Sequence, residues 1–211
     1  LVARILHHTG ARAHGPLVEV NCAALPRELL ESELFGHEAG AFTGAKGRHR
    51  GYLEQADGGT LFLDEITEMD GDLQAKLLTA IEDRTLRRVG GEKPVQVDVQ
   101  VLVASNAGLE EKVRGGEFRS DLYHRLSVFQ LHMPTLRERV EDLDDLVPLL
   151  LEEFNHLAGR RVRRVPDGVL RRLKDYHWPG NVRELRNVIE RGVLLADGEV
   201  FPERWLQLDK A

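Results

Sequence analysis

Three short apolar runs in the first half of the chain each end on polar residues, and no other feature narrows the possible folds as much. Leu17-Val18-Glu19-Val20 runs into Asn21, Thr60-Leu61-Phe62-Leu63 into Asp64-Glu65, and Val99 to Ala104 into Ser105-Asn106. Short continuous apolar stretches are the habit of parallel strands buried on both faces. Helical patterns lie between them. Pro26 opens a helix carrying Leu29, Leu30 and Leu34 that stops at Gly36, and Leu73, Leu77, Ala80 and Ile81 share one face of another. Strands alternating with helices predict a parallel α/β sheet. Ligands of such sheets bind outside the carboxyl ends of the strands, so three polar strand ends predict one site. Taken singly, each polar residue could instead cap the turn that follows it.

Asp64-Glu65 has the sharpest chemical reading. One carboxylate can hold Mg²⁺, which prefers oxygen ligands and keeps most of its waters. The next can orient and polarise a water that attacks phosphorus. The apolar run before the pair supplies rigidity and keeps the site dry.

Ser127 to Met133 is predicted to be the last strand, and Pro134 ends that region. Everything beyond reads as helix. Leu143, Leu146, Val147, Leu150, Phe154 and Leu157 form one stripe, and Pro166-Asp167 opens a helix with Val169, Leu170 and Leu173. Asn181 has the features of an N-cap, with Glu184 three residues on. The expected division is an α/β part over 1–138 and a small helical part over 139–211.

Composition excludes several classes. The chain has 211 residues, of which 42% are hydrophobic and 30% charged, enough for a sizeable core. Lys and Arg total 29 against 35 Asp and Glu, so the net charge of −6 argues against a free-standing nucleic-acid binder. The Arg160, Arg161, Arg163, Arg164 run is read as a solvated interhelix loop. No apolar run suffices for a membrane span. A single cysteine, Cys22, cannot form a disulfide framework, which suits a reducing compartment, and cannot by itself build a zinc site.

At this point the motifs carry a resemblance. Gly58-Gly59-Thr60-Leu61-Phe62-Leu63-Asp64-Glu65 resembles the Walker B segment of the AAA+ ATPases that activate bacterial sigma-54 RNA polymerase. Gly36 to Ala45 contains the GAFTGA signature of that family unchanged, as Gly40, Ala41, Phe42, Thr43, Gly44 and Ala45. Phe118 to Leu126 and Trp178 to Leu185 extend the likeness over essentially the whole chain.

The resemblance implies an AAA+ P-loop NTPase-type parallel sheet with a small C-terminal helical lid. It implies ATP and Mg²⁺ as cofactors, and ATP hydrolysis coupled to remodelling of sigma-54 RNA polymerase for open-complex formation. It further implies a cytoplasmic homo-oligomer closed into a hexameric ring, with no membrane attachment and with DNA bound only through a domain outside these residues. Asp64 would serve the metal and Glu65 the water. The nucleotide-binding stretch would be Ala56, Asp57, Gly58, Gly59, Thr60, Leu61, Phe62, Leu63, Asp64 and Glu65. Asn106 would sense the γ-phosphate, and Arg183 would reach the nucleotide from the lid. Asn21 matches the switch residue that holds the Walker B glutamate. Arg119 and Arg125 match the arginine fingers that act on a neighbouring subunit's nucleotide; the plainer alternative is local pairing of Asp121 with Arg125. Residues 40–45 would contact sigma-54, with Phe42 and Thr43 at the tip, and a second insertion around Arg87 to Val95 would support that loop.

The Gly-rich phosphate-binding loop ending in Gly-Lys and the strand before it are not found here, and Leu1 to Arg4 resembles the helix after them. These 211 residues alone are therefore expected to bind ATP poorly. The alternative expectation is a non-catalytic fragment that keeps the sigma-contacting loop.

Overall fold

The computed structural model describes residues 1–206 and 208, and the chain divides into two compact units, Leu1–Gln130 and Leu131–Ala211. In the first unit α1 (Val2–Thr9) precedes β1 (Leu17–Asn21), then α2 (Arg27–Phe35) and the short α3 (Tyr52–Gln55) lead to β2 (Thr60–Asp64). Next come α4 (Gly71–Glu82), the strands β3 (Thr85–Arg87) and β4 (Pro94–Gln96), β5 (Gln100–Val103), α5 (Leu109–Arg114) and α6 (Ser120–Leu126). The second unit holds α7 (Leu143–Ala158), α8 (Asp167–Asp175) and α9 (Asn181–Leu194).

β1, β2 and β5 form a parallel sheet in that order, and β3 pairs with β4 as a separate antiparallel ribbon. The register sets Asn21 beside Asp64 and Leu63 beside Val103. β2 is central, and its Leu61 and Leu63 are fully buried against Leu34, Leu53, Ile66 and Leu77. Asp70 starts α4 by accepting the N–H of Leu73 at 2.9 Å, and buried Leu73, Leu77 and Ala80 turn one face to the core. A buried hydrogen bond, 2.9 Å between His7 Nδ1 and Thr60 Oγ1, pins α1 to the start of β2.

Four expectations are corrected. Val99 to Ala104 is not fully buried: β5 pairs with β2 on one side only among the described residues, and its residues are half-buried or exposed. Ser127 to Met133 forms no strand. Val128 and Phe129 are exposed, and no strand among the described residues lies in ladder with the segment. An apolar stretch needs a partner to become a strand, and this one has none among the described residues. Asn181 is not the N-cap of α9; Gly180 is, and with no side chain on Gly180 the expected box is not formed, although the Glu184 carboxylate accepts the Gly180 N–H at 2.8 Å. Asn181 instead accepts N–H bonds from Leu136 and Val182. Leu157 leaves the buried stripe of α7 and is exposed.

α7 and α9 supply most of the second core through Leu143, Val147, Phe154, Leu185, Ile189 and Val193. Gly159 ends α7 in the left-handed region, φ 62°. Among the described residues no helix is long and apolar enough to cross a membrane.

Gly192 on α9 is covered by the Phe201 ring, and a Cβ there would lie 2.0 Å from Phe201 Cζ. Gly192→Ala gains helix propensity of about 1 kcal/mol but forces a buried ring to move. A net loss of about 1–2 kcal/mol is expected, measured by urea unfolding of the helical unit's transition.

Candidate functional site

The parallel register gathers four of the predicted residues at the carboxyl edge of the sheet. Asn21 ends β1, Asp64 ends β2 with Glu65 next, and Asn106 follows β5. Asp64 Oδ1 accepts the N–H of Glu65 at 3.2 Å, leaving its other oxygen for a ligand. Glu65 sits in the left-handed region, φ 56°, a strain of about 1–2 kcal/mol for a side-chain-bearing residue. Two contacts from the β5 side hold it there: Ile66 N–H donates to the Ala104 carbonyl at 3.1 Å, and Asn106 N–H donates to Glu65 Oε2 at 3.3 Å. Ser105 shapes that turn by accepting the Ala107 N–H at 3.1 Å.

Asn21 does not hold the glutamate in this state. Its Oδ1 accepts the Ala23 N–H at 2.9 Å and caps the 3-10 turn Cys22–Ala24. The simple capping role and the strand-end placement thus coexist.

The stretch predicted to bind nucleotide is not gathered as a whole. Ala56, Asp57, Gly58 and Gly59 form the turn before β2, at the opposite end of the strand from Asp64. Asp98 organises them: its N–H donates to Asp57 Oδ1 at 2.7 Å, and its carbonyl accepts the Gly58 N–H at 3.0 Å. Arg12 in turn donates to that carbonyl and to the Asp98 carboxylate, holding the latter below the ordinary carboxylate range. Thr60, Leu61 and Leu63 are fully buried and Phe62 half-buried, so this run is scaffold.

Arg119 is the N-cap of α6, and Arg125 lies in its last turn. Arg119 donates to both Asp121 oxygens, at 3.0 and 2.6 Å, holding the Asp121 carboxyl below its usual range. The expected alternative pairing of Asp121 with Arg125 is therefore taken by Arg119, and Arg125 is exposed with no ion pair among the described residues. Sequence reasoning missed Gln74, which is fully buried. Its Nε2 donates to the Met69 and Glu117 carbonyls and its Oε1 accepts the Arg119 N–H at 2.8 Å. A polar residue on the inward face of α4 was the signal. Arg183 lies exposed in the second unit, and neighbouring Glu184 binds Tyr176 and Gly180.

Residues 36–51 form a loop with a narrow neck. His37 and His49 exchange main-chain hydrogen bonds of 3.2 and 2.9 Å. Gly36 and Gly51 touch backbone to backbone there: a Cβ on Gly36, at φ 77°, would lie 2.7 Å from the Gly51 nitrogen. At the tip, Gly40 N–H donates to the Ala45 carbonyl and Ala45 N–H to the Phe42 carbonyl, at 2.8 and 3.0 Å. Phe42 and Thr43 are exposed, and Ala45 is buried.

The second insertion braces this loop. Val89 N–H donates to the Gly36 carbonyl and Glu38 N–H to the Val89 carbonyl. Gly90 lies so near Ala41 that a Cβ on it would come within 2.7 Å of the Ala41 Cβ. Arg88, 8% exposed, donates twice to Glu54, 5% exposed, and once to Glu38, each at 2.7 Å. These carboxylates, Glu54 first, hold the guanidinium more firmly charged than a free arginine. No local pattern announces this triad, since Arg88 finds partners 34 and 50 residues away.

Two family models match the chain: the sigma-54 interaction domain over residues 1–132 and the AAA+ ATPase lid domain over 137–209. The chain is 51% identical over 201 residues to nitrogen fixation protein AnfA of Azotobacter vinelandii, covering 95% of this chain and 38% of that protein. It is 49% identical over 208 residues to transcriptional regulatory protein FlbD of Caulobacter vibrioides, covering 99% of this chain and 46% of the relative. The crystal structure of NtrX from Brucella abortus in complex with ADP matches with a TM-score of 0.90 at 38% identity, over 98% of this chain and 46% of that one. Hsp104 of S. cerevisiae, at 19% identity and TM-score 0.58 over 84% of this chain and 34% of that one, shows the fold alone. The chain spans less than half the length of these relatives.

Arg88→Met leaves the buried Glu54 carboxylate with only the exposed Arg50 guanidinium, 3.8 Å away, as counter-charge. A loss of about 3–5 kcal/mol is expected in denaturant unfolding, and Glu54→Gln in the same chain should recover part of it. Cys22 offers a second check. Burial first, then the Asp64 carboxylate, pushes its thiol up to about 12. Iodoacetamide should label it at pH 8 only on unfolding. Because the unfolded thiol ionises first, near its ordinary value, the contribution to stability is complete below about pH 8.5 and fades as the pH climbs towards 12.

Proposed function

The chain belongs to the sigma-54 interaction domain family on an AAA+ fold, and from that premise we propose that it couples ATP binding and hydrolysis to the remodelling of sigma-54 RNA polymerase for open-complex formation. One observation carries the reading: Asp64, Glu65 and Asn106 meet at a single sheet edge, with the Glu65 carboxylate on the Asn106 main chain. The Brucella abortus relative solved with ADP and with ATP supports nucleotide as the ligand class.

The residues fit that ligand. Asp64 keeps one oxygen clear of the Glu65 N–H, and Mg²⁺ carried on a phosphate chain needs only one or two protein carboxylates. Bound ATP and Mg²⁺ would supply the transferable phosphoryl group and a cation that neutralises its charge. Glu65 orients a water and accepts its proton. The Asn106 side-chain amide lies on the same turn as the N–H that holds Glu65, so a change at one bears on the other. Arg125, exposed and without an ion pair among the described residues, serves a neighbouring subunit, while Arg119 must exchange its Asp121 partner to do so. That pair is solvent-screened and exchanges readily. Fingers acting in trans imply a closed homo-oligomer, a hexameric ring by family resemblance. By the same family resemblance Arg183 would serve nucleotide as a lid residue.

Output belongs to residues 40–45, with Phe42 and Thr43 offered to sigma-54. Nucleotide can move this loop only if it contacts two arrangements of the strand edge unequally. Asn21 is suited to that task, since it caps the turn leading into α2 and stands beside Asp64 in register.

In the intact protein, Glu65→Gln is expected to lower ATP turnover by about 10²–10⁴ while nucleotide still binds. Mixing Glu65→Gln with Arg125→Ala subunits should restore turnover above that of either alone; no recovery at any ratio counts against fingers in trans. Substituting Thr43 should abolish open-complex formation with turnover intact, and retained activation would refute the loop assignment.

A further inference from the structure

The loop neck carries two histidines whose surroundings the proposed chemistry does not use. His37 stands where the chain enters the loop and His49 where it leaves, and their rings stack at 5.4 Å with 26° between planes. Phe42 adds a third ring, meeting His37 edge-on at 5.0 Å and 67°. Adjacent residues at the end of α2 reach the two rings separately. Ser32 Oγ lies 2.7 Å from His37 Nδ1, and Glu33 Oε2 lies 3.4 Å from His49 Nε2, a buried nitrogen for which Glu33 is a charge neighbour but which has no hydrogen-bond partner. Burial first, and then the nearby Glu33 carboxylate, push the Tyr52 phenol of α3 up.

We propose that His37 and His49 form a ring clasp across the neck, anchored by Ser32 and Glu33, and that the clasp positions Phe42 for contact with a partner surface. The small residues around Phe42 cannot hold an aromatic ring, and among the described residues His37 is its ring partner. Phe42 remains 47% exposed, so the contact orients the ring without hiding it. Both anchors sit on one helix, so a rigid shift of α2 carries them together and turns Phe42 with the neck. α2 follows the 3-10 turn that Asn21 caps, which ties the clasp to the sheet edge. His37 and His49 are positioning residues in this account. The inference rests on the reading of the loop as the polymerase-contacting element.

Hydrogen–deuterium exchange of the peptide spanning 38–48, in the intact protein, tests the clasp directly. That peptide contains the Gly40 and Ala45 amides bonded within the loop. His37→Ala is expected to speed its exchange roughly three- to tenfold, with peptides of α2 and β2 unchanged. His37→Phe keeps a ring beneath Phe42 and should return exchange to within about twofold of the parent. Ser32→Ala leaves both rings in place, so it serves should His37→Ala fail to fold; an increase of roughly two- to fivefold is expected. Unaltered exchange in His37→Ala or in Ser32→Ala, or His37→Phe as fast as His37→Ala, overturns the proposal. Binding of sigma-54 polymerase by the same variants separates it from the reading beneath it. Faster loop exchange with unaltered polymerase binding leaves the clasp standing and refutes the loop's assigned partner.

Discussion

Parallel pairing of β1, β2 and β5 is the constraint on which the rest depends. Parallel strands align their carboxyl ends, so this pairing brings residues from three distant parts of the chain to one edge. The register sets Asn21 beside Asp64, and the turn after β5 then supplies the main-chain N–H that holds Glu65. The fully buried Leu61 and Leu63 keep β2 from slipping, since a shift by one residue would exchange its buried and half-buried faces. The turn at 56–59, fixed by Asp98, sets where β2 begins and hence where Asp64 falls. A loss of that turn would reach the site through register alone.

What was legible follows the range of the interaction that decides it. Strands β1 and β2 and the helices α2, α4, α7 and α8 announce themselves locally, because apolar spacing records which face is buried. The strand-end site was legible for the same reason, as strand ends are visible once strands are. The loop motif was legible from its resemblance. Segment 127–133 was misread because a strand is a relation between two stretches, and Val128 and Phe129 have no such partner among the described residues. The Arg119–Asp121 pair defeats the helical spacing rule because Arg119 stands outside α6 as its N-cap. The Arg88 triad was invisible, since charge in sequence says nothing of burial when the partners lie on a distant helix and in another loop.

That triad also shows how a glycine-bordered loop can hold a defined place. A buried ion pair seldom adds much net stability over an apolar substitute, yet breaking one is costly. Its worth therefore lies in selectivity: Arg88 is satisfied only when Glu54 and Glu38 stand on both sides of it, which is when the neck is closed and the second hairpin is docked. The Gly90 approach to Ala41 adds a steric version of the same demand. The chain has placed its rigidity at the base of the loop and left the tip to small residues.

A rigid neck changes what the nucleotide site has to do. Moving a two-state element from 1:99 to 99:1 takes about 5.5 kcal/mol of differential binding, whereas one hydrogen bond contributes about 1 kcal/mol net. No single contact at the strand edge suffices to drive such a transition. Several must change together, and three lie within reach of one another: the Asn21 cap on Ala23, the Asp64 bond to the Glu65 N–H, and the Asn106 hold on Glu65. The strained backbone of Glu65 adds about 1–2 kcal/mol that is released when the residue leaves its left-handed conformation. The proposed function thus requires the strand edge to switch as a unit. α2 is the element best placed to carry that switch outward, because it starts behind Asn21 and ends on the residues that face His37 and His49.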